Sequence, residues 1–217
     1  MNKKSLLLIL STMLLLSACN STQTRAINIT QVSNPAEQSV EECLDMFLAG
    51  DIMAFYPNAE GKPFYITELS IDEEDALSYS IGDRVDLDND GELELILNGA
   101  YGGKYFDVRE GQIFVLDEGW GTAGILSYTY FDDQTWIVHS DTTHVGRYIY
   151  DFTLYDGSGN IADTFQLTQE FWENPDMPDG PDTLYTYRGE SITRAEFMIL
   201  REEMLQIGGR MSPAEID

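Results

Sequence analysis

Tyr79-Ser80-Ile81-Gly82-Asp83-Arg84-Val85-Asp86-Leu87-Asp88-Asn89-Asp90-Gly91-Glu92-Leu93-Glu94-Leu95-Ile96-Leu97-Asn98 is the stretch that decides the fold class. Tyr79, Ile81, Val85 and Leu87 alternate with polar positions, and Leu93, Leu95 and Leu97 do so again. A period of two is the signature of a half-buried strand. Two such runs joined by Asn89-Asp90-Gly91 predict two strands linked by an acidic turn. Outward from this pair the same texture recurs. Gln112–Leu116, Gly124–Phe131, Thr135–Ser140 and Arg147–Tyr155 are candidate strands, and in the last of them Tyr148, Tyr150, Phe152 and Leu154 share a face. Gly157-Ser158-Gly159-Asn160 is a turn cluster leading into Ile161–Leu167, hence a hairpin, and Leu184–Arg188 is a short final strand. Asn174–Asp182 holds three prolines and predicts an exposed loop.

Helices bracket the strands. Asn34, Pro35 and Glu37 fit an N-cap, a first helical position and a capping-box partner, with Gly50 as the stop. Val40, Cys43, Leu44, Phe47 and Leu48 fall on one stripe of that helix, which makes Cys43 a buried, inert thiol. Thr193 and Glu196 form a capping box for a C-terminal helix that buries Phe197, Leu200, Met204 and Ile207 and ends at Gly208-Gly209. The expected class is α+β, a mainly antiparallel β-sheet with an N-terminal and a C-terminal helix packed on it.

The acidic turn is the one constellation with chemistry. Asp86, Asp88, Asp90 and Glu94 stand at positions 1, 3, 5 and 9, with Gly91 at position 6 for the bend and the carbonyl of Glu92 as a further oxygen at position 7. Hard oxygen ligands at about 2.3–2.6 Å around a flexible loop suit calcium. Magnesium demands a stricter octahedron, and the loop offers zinc neither thiolate nor imidazole. Like charges crowded at about 4 Å repel by roughly 1 kcal/mol even in water. The loop resembles the Asp-x-Asp-x-Asp-Gly-x-x-acid calcium loops between strands of FG-GAP repeats in integrin-like propellers. That resemblance implies Asp86, Asp88, Asp90, Glu92 and Glu94 as ligands of one structural calcium ion. Glu94 stands where aspartate is common there, and a single copy excludes a propeller built of such repeats. It is not an EF-hand, because Leu97 occupies position 12. An acidic Asp-Gly turn without an ion is the alternative.

The N-terminus carries an address. Lys3 and Lys4 precede the apolar run Leu6–Leu16, which is too short to span a bilayer needing about 20 apolar residues but suits a signal peptide. Leu16-Ser17-Ala18-Cys19 resembles the lipobox of bacterial lipoproteins, which implies cleavage before Cys19, acylation of its thiol, and a membrane anchor on the extracytoplasmic face of the cell. The expected organisation is a signal peptide at 1–18, the lipidated Cys19 and a polar tether at 19–33, and one α+β domain at 34–217. The order of lipobox, tether, helix ending Phe47-Leu48-Ala49-Gly50-Asp51 and acidic loop resembles a group of surface lipoproteins of Gram-positive bacteria.

Charge narrows the partners. The chain has 12 Lys+Arg against 38 Asp+Glu, a formal charge of −26. Such a surface repels nucleic-acid phosphates, and 43% hydrophobic residues is too many for a disordered acidic tail. The expected role is a binding or interaction protein of the cell envelope with no catalytic residues. Two rivals stay open. His139, Asp141 and His144, which include the only two histidines, suggest a metal-dependent hydrolase. Trp120, Trp136 and Trp172 suggest a glycan-binding module, with core packing as their ordinary explanation. Asp176, Asp179 and Asp182 are a candidate for a second ion, against which the prolines between them point to a plain acidic loop.

Overall fold

A strand with apolar side chains on both faces needs a cover on each, and β4 (Glu94–Asn98) is such a strand. The computed structural model describes residues 38–57, 61–72, 74–75 and 77–205, all within a unit spanning Ser33–Asp217. Leu95 and Leu97 of β4 point to one side, against Cys43, Leu44 and Phe47 of helix α1 (Val40–Ala49). Ile96 points to the other, where it meets Leu126, Ile137 and Tyr155 of a second sheet. Four layers result: helix, sheet, sheet, helix.

The first sheet contains β1 (Met53–Phe55), β2 (Phe64–Tyr65), β3 (Ser80–Val85), β4, β5 (Lys104–Arg109) and β6 (Gln112–Glu118) in the order β2-β1-β6-β5-β4-β3. Its pairs are antiparallel except β1 with β6, which is parallel. A short 3₁₀ turn, Gly121–Ala123, leads to the second sheet. That sheet holds β7 (Ile125–Phe131), β8 (Gln134–Asp141), β9 (Arg147–Tyr155), β10 (Ile161–Glu170), β11 (Leu184–Tyr187) and β12 (Glu190–Ser191), an antiparallel meander in sequence order. Helix α2 (Arg194–Leu205) closes its outer face, with Phe197 and Met204 against Tyr150, Phe152 and Phe165. The fold is therefore α+β and mainly β, as expected, with two sheets where the sequence suggested one.

Local sequence explains most of these elements and several departures. The box Thr193/Glu196 caps α2 from both directions, at 2.7 and 3.2 Å. Helix α1 is capped at Ser39 rather than Asn34: Ser39 Oγ accepts from the Glu42 amide, and Glu42 returns the bond to the Ser39 amide. Ser39-x-x-Glu42 has the same capping-box spacing; Asn34, Pro35 and Glu37, like Cys19, Ile207 and the two terminal glycines, lie outside the described residues. Gly50 stops α1 in the left-handed region. Cys43 is fully buried, as its stripe required, and burial raises its thiol pKa.

Two alternating positions miss the core. Leu93 is 50% exposed, because the chain is still in the loop there and pairing starts at Glu94. Ile81 is 49% exposed, since the β3–β4 register shifts between Ile81 and Arg84, and a bulge turns the alternation over. Strands β1, β2, β5 and β12 were not foreseen. β5 escapes because Tyr105, Phe106, Asp107 and Val108 are all buried, so no polar–apolar alternation marks it. Its approach also needs Gly103, whose φ is +93° and where a Cβ would lie 1.7 Å from the Leu97 carbonyl oxygen. Removing the ring that seats α2 on its sheet, Phe197→Ala, should cost about 3–5 kcal/mol of unfolding free energy, read from urea denaturation.

Candidate metal centre

The loop between β3 and β4 curls because its acids bind its own backbone. Asp86 accepts from the amides of Asn89 at 2.8 Å and Gly91 at 3.2 Å, Asp88 from Asp90 at 3.3 Å, and Asp90 from Glu92 at 2.7 Å. Short acids favour such turns because their carboxylates reach amides two or three residues on. Asn89 and Gly91 take left-handed backbone, φ +69° and +90°. From the start of β4, Glu94 Oε2 reaches back to the amides of Leu87 at 2.5 Å and Asp88 at 3.3 Å. One carboxylate oxygen from each of Asp86, Asp88 and Glu94 then falls within 4.8 Å of the others.

Glu94 lies on the face opposite Leu95 and Leu97, as the alternation required, and that face looks towards the second sheet. Asp88 and Glu94 are each 1% exposed. Burial first, then the nearby charges of Asp107 and Asp90, push the Asp88 carboxyl up to about 6. Burial pushes Glu94 up to about 8 against the stabilising amide of Leu87, with Asp88 and Asp107 adding to the rise. Asp88 Oδ2 is buried and has no hydrogen-bond partner. A buried carboxylate oxygen without a proton, donor or cation is costly. Hard oxygens converging around such an atom can hold a metal ion.

The proposed ligands divide. Asp86, Asp88 and Glu94 converge, whereas Asp90 is outside that group, its Oδ1 occupied by the Glu92 amide. The acid missing from the sequence reading is Asp107 of β5, 3% exposed and close enough to raise both carboxyl pKa values. It pairs with Arg109. Nothing in local sequence distinguishes Asp107 from an outward strand acid. The loop also joins the layers: the Asn89 side chain both donates to the Thr135 carbonyl (3.1 Å) and accepts from its amide (2.8 Å) on β8. Asp90 rests on Gly157 of the β9–β10 turn, where a Cβ would come within 2.9 Å of the Asp90 Cβ.

The other candidates are assigned to separate places. His139 is buried, 1% exposed. Its Nε2 lies 3.0 Å from the Glu118 carbonyl, so that nitrogen carries the proton, and the ring stacks on Trp120 at 3.7 Å. Asp141 instead pairs with His144 at 2.6 Å and Arg147 at 2.6 Å. Burial acts to raise its pKa, and hydrogen bonds from His144 and Arg147 outweigh this and hold it below the usual range. The three residues thus form two unconnected contacts rather than one cluster. Asp179 is tied to Arg194 and Tyr185, and among the described residues it joins no group of acids with Asp176 or Asp182. Trp136 is core, while Trp120 and Trp172 are more than half exposed.

No family model, curated protein or solved structure matches the chain.

The raised acids fix the sign of a pH response. Because Asp88 and Glu94 hold their protons in the fold to about 6 and about 8, while the unfolded chain releases them near pH 4, metal-free stability must fall as pH rises between those limits. In EDTA, the melting temperature should drop from pH 5 to pH 8, and divalent cation should remove that drop; calorimetry at stepped pH with and without the cation checks both.

Proposed function

We propose that the chain is a lipid-anchored envelope protein whose domain is clipped together by one calcium ion and binds a ligand outside the membrane. The observation that carries the clip is the orphaned, buried Oδ2 of Asp88, a residue whose carboxylate converges with those of Asp86 and Glu94. An all-oxygen, carboxylate-rich loop favours calcium among divalent ions; the resemblance implies Asp90 and the Glu92 carbonyl as further ligands, and Asp90 would have to turn from the Glu92 amide to join them. The role is structural. The loop ties β3 to β4 and, through Asn89, the first sheet to the second, so an ion there stiffens the join between layers. The signal-like N-terminus ending at Cys19 supports the address, and two or three acyl chains would hold the protein firmly on the membrane. No helix among the described residues is long and apolar enough to cross it.

Calcium titration of the full chain in detergent tests the clip. A Kd of about 10⁻⁴–10⁻³ M is expected, typical of extracellular sites, with a stability gain on the order of 1 kcal/mol at millimolar calcium. Asp88→Ala should abolish both. An unchanged calcium response in that variant, or an equal response to magnesium, defeats the calcium assignment. For the address, Cys19→Ser should move the protein from the membrane to the soluble fraction and remove the acyl mass from its N-terminal peptide.

A further inference from the structure

The inter-sheet face of β9 and β10 is only partly covered by the first sheet, and a pocket of about 490 Å³ opens over it. Its floor is set by strand pairing: Asp151 faces Gln166 and Thr153 faces Thr164. Asp117, from the end of β6, and Trp120, from the turn that follows, form the wall. The volume lies in the range of small-ligand sites, about 300–1,000 Å³. What sets this pocket apart is its chemistry. Hydroxyls, an amide and two carboxylates are set among apolar side chains, and the exposed ring is an indole.

Each feature restricts the ligand. Among the described residues no Lys or Arg pairs with Asp117 or Asp151, so an anion is rejected. A purely apolar ligand would strip water from polar groups without replacing their hydrogen bonds. Gln166 Nε2 donates to Asp151 Oδ1 at 2.5 Å, which fixes the two planar groups side by side and leaves the amide oxygen and Asp151 Oδ2 for donors. Asp117 is fixed as well: its Oδ1 accepts from the Glu118 amide at 2.8 Å, and its Oδ2 accepts from the Tyr155 hydroxyl at 3.2 Å. Trp120 is held by its stack on the buried His139 ring, at 12° between planes, yet remains 59% exposed. The face of an aromatic ring is electron-rich and attracts C–H groups polarised by neighbouring oxygens. A ring with hydroxyl donors at its rim and C–H bonds on its face satisfies the indole, the amide and the acids together.

We infer that this pocket binds a neutral sugar, with one pyranose ring against Trp120 and its hydroxyls donating to Asp117, Asp151 and Gln166. The inference deepens the ligand-binding part of the proposed function and is independent of the acidic loop. A dry-walled cage of several rings, which a quaternary ammonium would use, is absent among the described lining residues, since Trp120 is the one exposed ring there.

The test is saturation-transfer NMR and calorimetry on the full chain in a zwitterionic, sugar-free detergent. The probes are methyl β-glucoside, methyl β-galactoside, methyl N-acetyl-β-glucosaminide, cellobiose and di-N-acetylchitobiose, with putrescine as the cationic comparison. At least one sugar should bind in the millimolar range. Trp120→Ala should weaken it about three- to tenfold, the value of an aromatic contact. Gln166→Ala, at an exposed position, should weaken it as well, whereas Trp172→Ala, outside the pocket, should not. Circular dichroism confirms that each variant folds. Absence of binding by every sugar, preference for putrescine, or full binding by folded Trp120→Ala overturns the inference. A calcium response with no sugar binding overturns the pocket alone and leaves the clip standing.

Discussion

Three carboxylic acids, Asp88, Glu94 and Asp107, are buried at the junction of the two sheets with, among the described residues, one arginine paired to them, and the surrounding architecture is arranged around that imbalance. Two unit charges at about 4 Å repel by roughly 4 kcal/mol at an effective dielectric of about 20. Such a cluster persists only with protons or with a cation. The backbone contributes part of the answer, since six loop amides point at carboxylate oxygens. It does not reach Asp88 Oδ2. The geometry thus leaves one carboxylate oxygen without a donor, on a residue that converges with Asp86 and Glu94.

Placing that cluster between the layers gives it consequences beyond the loop. Leu87, one residue before Asp88, is fully buried in the apolar centre between the sheets with Ile96, Leu126 and Ile137. Asn89, one residue after, bonds the backbone of Thr135 at the start of β8. The loop therefore acts as a rivet: one side chain in the core, its neighbours in the ion cluster, the next on the opposite sheet. An uncompensated charge there loosens the interface between layers rather than a peripheral turn. The same interface also opens into the pocket over β9 and β10, which draws on residues other than those of the acidic cluster.

Much of this was legible in the chain. The hairpin of β9 and β10, the four aromatic and aliphatic residues on one face of β9, the capping box of α2 and the stop at Gly50 follow from periodicity and backbone chemistry, which act over a few residues. The acidic loop was legible for the same reason, because its convergence depends on its own amides. Less legible were β5, whose two faces are both buried, and the start of α1, where two capping patterns compete within six residues. Asp107 was invisible, since a strand acid is normally solvated and only the second sheet makes it otherwise.

The sequence by itself determined the acidic surface, the α+β class and a loop able to gather carboxylates, since composition, alternation and turn chemistry are local properties. Tertiary structure alone decided that there are two sheets with a helix outside each, because that depends on which apolar faces find one another across many residues. It also decided that Asp88 and Glu94 are buried beside Asp107, that His139 faces Glu118 and Trp120 rather than Asp141, and that a pocket opens beside Trp120. Burial changes the energy of a charge far more than its neighbours in sequence do, and burial is set by the packing of distant segments.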